Sequence, residues 1–169
     1  GDTNGFVSNT QAQTATATIA DNDTLTVDVT ASTGTVASEN SNTTQIFNVT
    51  PSIPTEQTFV VAFVGENGAP VAATLNTDYQ LPTNQTVTFP GSPGNSFDGL
   101  GQNQQTISVN IIDEELNEAD EFYNVRLTTI SGQTNLVVLD ATPTAVGQIN
   151  DDDGMTIVVA MSSRRPHQA

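Results

Sequence analysis

With 169 residues, a formal charge of −16 and no cysteine, the chain has room for one sizeable core and must build it without a disulfide framework. Nineteen acidic residues against three arginines and no lysine exclude nucleic acid and anionic membrane surfaces as partners, because both would repel it. No apolar run is long enough to cross a bilayer, so direct membrane insertion is not expected, and the abundance of Thr, Asn, Val and Ser, punctuated by Gly and Pro, is that of an all-β domain.

Residues 14–19 alternate strictly and run into Ala20-Asp21-Asn22-Asp23, after which Leu25, Val27 and Val29 alternate with Thr24, Thr26, Asp28 and Thr30. Residues 35–38 form a short edge segment ending in Glu39, and residues 46–50 a strand stopped by Pro51. Residues 59–64 are nearly all apolar, which predicts a strand inside a sheet. Strands are also expected at 72–79 and 85–89, with Val87 and Phe89 facing inward. Residues 90–104, rich in Gly, Ser, Asn and Pro, read as an exposed excursion. Ile107, Val109 and Ile111 then share one face of a strand, Tyr123, Val125 and Leu127 share one face of the next, and an acidic loop joins the two. Residues 131–143 read as a wandering link and 144–150 as the closing strand. No segment carries the 3.6-residue period of an amphipathic helix.

The two ends of this series resemble each other. Shifted by 130 positions, Ile19 falls on Ile149, Asp21 on Asp151, Asp23 on Asp153, Leu25 on Met155 and Val27 on Ile157. We read residues 24–153 as one complete unit of a tandem array, 1–23 as the last strand of a preceding unit and 154–162 as the first strand of a following one. Neighbouring repeats of the same chain are then the expected partners. The alternative is two unrelated Asp-rich turns that happen to precede strands. Residues 163–169 fit neither pattern and hold two of the three arginines and the single histidine, so they read as an appended tail.

Between Asp113 and Glu121 six carboxylates occupy nine residues, with no basic residue before Arg126. Two carboxylates about 5 Å apart repel by about 3 kcal/mol at an effective dielectric near 20, so such crowding is costly unless a cation sits among them. Oxygen donors alone, with no Cys or His nearby, select a hard ion, and a loop suits calcium better than magnesium. The competing reading is a solvated acidic turn.

Taken together, several stretches resemble the Calx-β domain, an immunoglobulin-like antiparallel β-sandwich found in sodium/calcium exchangers, integrin tails and large bacterial surface proteins. They are VASEN at 36–40, NTDY at 76–79, VTFPG at 87–91, IIDEELNEADEFYNVRL at 111–127 and the terminal INDDD at 149–153. The resemblance covers nearly all of 24–153 and implies an all-β sandwich with Ca2+ as its cofactor. The ligands it implies are Glu39, Asp78, Asp113, Glu114, Glu118, Glu121, Asp151, Asp152 and Asp153. Taken singly, Asp78 also reads as an Asx-turn residue, Glu39 as a charge that protects a sheet edge, and 151–153 as a polar linker. Two departures stand out. Glu114 occupies a position that is usually Asp in the calcium-binding members, and the stretch at 93–104 is longer than usual.

Catalysis is not expected, since the chain lacks Cys and its one His lies in the tail, leaving no nucleophile and base pair. Without Trp there is no sugar platform for a carboxylate glycosidase. The expectation is a calcium-binding repeat of a secreted or surface-anchored adhesin, extracellular, with calcium stiffening the junctions between repeats. Its adhesive target is not legible. A regulatory calcium sensor is the alternative, and a carbohydrate- or ice-binding module with a Thr-rich face is a third.

Overall fold

Strict alternation of apolar and polar residues sets the layers of the molecule, seen here in a computed structural model that describes residues 17, 24–32, 36–39, 43–53, 57–91, 104–132 and 135–154. Among the described residues there are ten strands: β1 (Leu25–Ala31), β2 (Val36–Ser38), β3 (Thr44–Pro51), β4 (Phe59–Asn67), β5 (Tyr79–Gln80), β6 (Thr86–Phe89), β7 (Gln105–Ile111), β8 (Glu121–Ser131), β9 (Val137–Leu139) and β10 (Thr144–Asn150). One five-stranded sheet has the order β5-β7-β3-β1-β9 and the other β2-β10-β8-β4-β6. Pairing is antiparallel except at two edges, where β9 lies parallel to β1 and β2 parallel to β10. This is the expected all-β sandwich. No helix among the described residues is long and apolar enough to cross a membrane.

Every second residue of the long strands is buried between the sheets: Val27 and Val29 on β1, Phe47 and Val49 on β3, Ile107, Val109 and Ile111 on β7, and Tyr123, Val125 and Leu127 on β8. Aromatic rings fill the centre. Tyr79 stacks on Tyr123 with ring centroids 4.3 Å apart, Phe47 meets Tyr123 edge-on at 5.9 Å, and Phe59 stacks on Phe89 at 4.6 Å. The Tyr123 hydroxyl, buried with its ring, donates to Gln45 Oε1 at 2.6 Å, which satisfies both polar groups. Gly147 on the neighbouring β10 makes room for that ring, since a Cβ there would collide with it.

The expected inner strand at 59–64 is β4, hydrogen-bonded on both sides by β8 and β6. Two expectations differ from the structure. Residues 72–79 do not form a strand. Ala72 and Leu75 make isolated bridges only, Asn76 turns the chain with φ of 67°, and pairing resumes at Tyr79–Gln80. The segment instead wraps the start of β8, where the Phe122 carbonyl accepts from both Gly68 N and Ala73 N at 2.9 Å. The link at 131–143 contains β9, whose Val137 is buried. Three residues are too few to display a period, so only the neighbouring β1 reveals it. The alternating stretch at 14–19, the flanking segments 1–23 and 155–169, and the insertion 93–103 lie outside the described residues, Ala17 apart.

Candidate metal centre

Strand register brings four distant segments to one pole of the sandwich. Glu121 opens β8 opposite Ile149 of β10, so Asp151 follows β10 out beside the acidic loop. Ser38 pairs with Asn150, and Glu39 N donates to the Asn150 carbonyl at 3.2 Å, which sets Glu39 against the same exit. Tyr79 pairs with Ile111, and Ile112 N donates to the Asp78 carbonyl at 2.9 Å, so Asp78 sits where the acidic loop begins. Each of these carboxylates stands just beyond or at the end of a strand, where the ladder places its backbone.

Asp78, Glu118 and Glu121 each present an oxygen, and these three atoms lie within 4.8 Å of one another. Glu39 is 2% exposed, Asp78 4% and Glu121 9%. A carboxylate so enclosed ordinarily has hydrogen-bond partners. Yet Glu39 Oε2 and Glu121 Oε2 are buried with no partner among the described residues, and so is Asp153 Oδ2. Asp78 alone is well supplied, its Oδ2 accepting from Thr74 N and so closing the turn that precedes Tyr79. Asp78 therefore closes the preceding turn while taking part in the cluster, through a bond that runs back to Thr74 and is not the forward bond, to the amide two residues on, of the expected Asx turn. The sheet-edge reading of Glu39 fails, because a charge that repels other strands must face water.

The electrostatics follow from burial and like charge. Burial first, then the charges of Glu114, Asp151, Glu118 and Asp78, pushes Glu39 up from 4.5 to about 7. Glu121 is likewise pushed up to about 7, by burial, by a hydrogen bond with Asp78 and the charge of Asp78, and then by Glu118 and Glu39. Glu114 is raised by burial and by Glu118, Asp78 and Asp153. Asp153 is raised by burial and by Asp152, Asp151, Asp113 and Glu115. The residues named from the sequence thus fall into two overlapping groups. Glu39, Asp78, Glu114, Glu118, Glu121 and Asp151 interact around the buried oxygens of Glu39 and Glu121, whereas Asp113 and Asp152, both exposed, interact with Asp153.

Two residues of this pole escaped sequence reasoning. Glu115 belongs to the group around Asp153, and its signal was only its place within the acidic run. Asn117 carries no charge, yet its Nδ2 donates to Asp151 Oδ2 at 3.2 Å and also to the Asp153 carbonyl. Nothing in the sequence distinguished it from any other loop asparagine.

Solved structures share this arrangement of strands. The apo-form CBD1 domain of Calx matches with a TM-score of 0.52 at 21% identity, over 78% of this chain and 100% of that one. The fold is Calx-β-like. CBD12 from CALX1.2 matches with a TM-score of 0.54 at 22% identity, over 75% of this chain and 44% of that one. A structure described as the calcium binding domain CBD12 of CALX1.1 matches with a TM-score of 0.55 at 22% identity, over 74% of this chain and 46% of that one. No protein-family model matches the sequence, nor does any curated protein. In this Calx-β-like sandwich the donor set fits a hard divalent cation, because it consists of carboxylate oxygens, several of them buried and unpartnered among the described residues.

Proposed function

We propose that this chain is a calcium-binding structural repeat of a large secreted or cell-surface adhesin, in which ions held at the acidic pole stiffen the junction with the next repeat. The observation that carries the calcium reading is the pair of buried carboxylate oxygens, on Glu39 and Glu121, that no donor among the described residues satisfies. Left without a cation they cost stability, since removing a charged group from water without a partner is unfavourable. Glu39, Asp78, Glu118 and Glu121 would hold an inner ion, with Asp113, Glu114, Asp151, Asp152 and Asp153 completing the pole. Calcium takes six to eight oxygens, more than one loop offers, and four converging segments supply them. A bound ion supplies the positive charge that these carboxylates lack.

The adhesin context and the extracellular location rest on the sequence: the absence of Lys, the wealth of Thr and Asn, and the correspondence of the two Asp-rich junctions 130 residues apart. The partners are neighbouring repeats of the same chain, and the role is non-enzymatic. Millimolar extracellular calcium would fill even sites of modest affinity. A regulatory sensor is the second reading, favoured by one observation: the chain's exit at 151–153 is itself part of the acidic pole, so filling the site reaches the next domain directly.

Titration calorimetry on metal-stripped protein tests the cation reading, with calcium expected to give a saturable heat of binding and magnesium a weaker one. Terbium offers an optical counterpart, since Tyr79 adjoins Asp78 and stacks on Tyr123, so tyrosine-sensitised emission should appear and calcium should quench it by displacement. No heat with calcium and no sensitised emission would overturn the proposal.

A further inference from the structure

The acidic loop at 112–120 and the chain's exit at 151–153 carry charge of the same sign, so electrostatics alone drives them apart. The exit lies beyond the last ladder residue of β10, Asn150, and has no strand pairing to hold it. One uncharged side chain crosses the gap. Asn117 Nδ2 donates to Asp151 Oδ2 at 3.2 Å and to the main-chain carbonyl of Asp153, while Asp153 N donates back to Asp151 Oδ1 at 3.3 Å. These bonds close a small ring linking the tip of the loop to both ends of the exit segment. Asn117 is exposed, so the contact is not a by-product of core packing.

We infer that Asn117 is a positioning residue, a latch that orders 151–153 against the acidic loop before any cation arrives. An amide suits this task for a chemical reason. A lysine or arginine would join the two segments but would also neutralise the carboxylates and compete with the cation. An aspartate would add one more like charge. The amide donates without doing either. The latch therefore presents Asp151 and Asp153 to an incoming ion already in place, and it makes the direction in which the chain leaves the sandwich a property of the loop. Its effect on affinity rests on the calcium reading above, whereas its ordering of the exit does not.

The test uses the whole chain with Asn117→Ala and Asn117→Gln. In metal-free buffer, hydrogen exchange at the Asp153 amide, which donates to Asp151 Oδ1, should speed up in the alanine variant while exchange in β8 and the melting temperature stay as in the parent. Glutamine, which keeps the donor, should restore part of the protection. Calorimetry should show the alanine variant binding calcium about 10-fold more weakly, the lower end of what losing an outer-shell hydrogen bond costs a metal site. Unchanged exchange at the Asp153 amide in the alanine variant would overturn the latch. Faster exchange with unchanged calcium affinity would overturn its role in presenting the ligands. Should the parent protein itself take up no calcium, the function proposed above fails, and the metal-free exchange still decides whether Asn117 orders the exit.

Discussion

Two glutamates on this molecule meet opposite fates. Glu66, on the outer face of β4, accepts from Arg126 on β8 at 2.8 Å through Nε and 2.5 Å through Nη2, and the guanidinium holds its carboxyl below the usual range. Both side chains are about two-fifths exposed. Glu39 is buried at the pole, has only carboxylates as its charged neighbours, and is pushed up to about 7. Arg126 is the one basic side chain among the described residues, and it sits where water already screens the charge. At the pole, where desolvation makes a counter-charge most valuable, the described residues supply none. Among the described residues the carboxylate needing little help is neutralised and those needing most are left bare, an arrangement that fits a positive charge supplied from solution.

That contrast breaks first if calcium does nothing. Calcium at a hundred times its dissociation constant should add about 2.7 kcal/mol, raising the melting temperature by about 10 °C for a domain of this size. Coincident melts in chelator and in millimolar calcium would erase the distinction between the two glutamates.

Nearly as large is the effect of removing charge at the pole. Glu118→Gln with Glu121→Gln should abolish the calcium shift while the sandwich stays folded. The metal-free double variant should melt above the metal-free parent, because like charges have been relieved. A calcium shift that survives in this variant would place the ion elsewhere.

A smaller effect comes from pH. A carboxyl whose pKa rises on folding, as for Glu39 and Glu121 from 4.5 to about 7, binds its proton more tightly folded than unfolded. Folding then takes up protons between those two values, so metal-free stability falls as pH rises from about 4.5 to about 7, and acidification across that window restores it. Saturating calcium should reverse the slope, since protons then compete with the ion. Melting curves at half-unit steps of pH, with and without calcium, check the crossing. Parallel slopes under the two conditions would show that the buried carboxyls do not face the ion.

The smallest expected change sharpens the comparison from its other side. Glu66→Gln should move the melting temperature by no more than about 2 °C, and by the same amount with calcium or without it. A calcium-dependent effect there would tie the outer face of β4 to the pole.

Much of the fold was legible because its signals are local. Alternation at 25–29, 107–111 and 123–127 marked strands whose inward residues are the buried ones, and the apolar run at 59–64 marked a strand paired on both sides. The segment 72–79 misled because its composition suits a strand, while its backbone is committed to Phe122 and to the turn closed by Asp78. At the pole, counting charges singled out the acidic loop, and the family resemblance added Glu39, Asp78 and the terminal aspartates. Neither could find Asn117, whose importance lies in what two of its hydrogen bonds span.

By itself the sequence determined an all-β chain, the location of its longer strands and a large surplus of negative charge, since period and composition are properties of residues in order. Only the tertiary structure decided that Glu39, Asp78, the loop at 113–121 and the exit at 151–153 meet at one end of the sandwich, and which of their oxygens lose contact with water. The reason is that desolvation and repulsion depend on everything packed around a carboxylate, and those neighbours are chosen by strand register across more than a hundred residues.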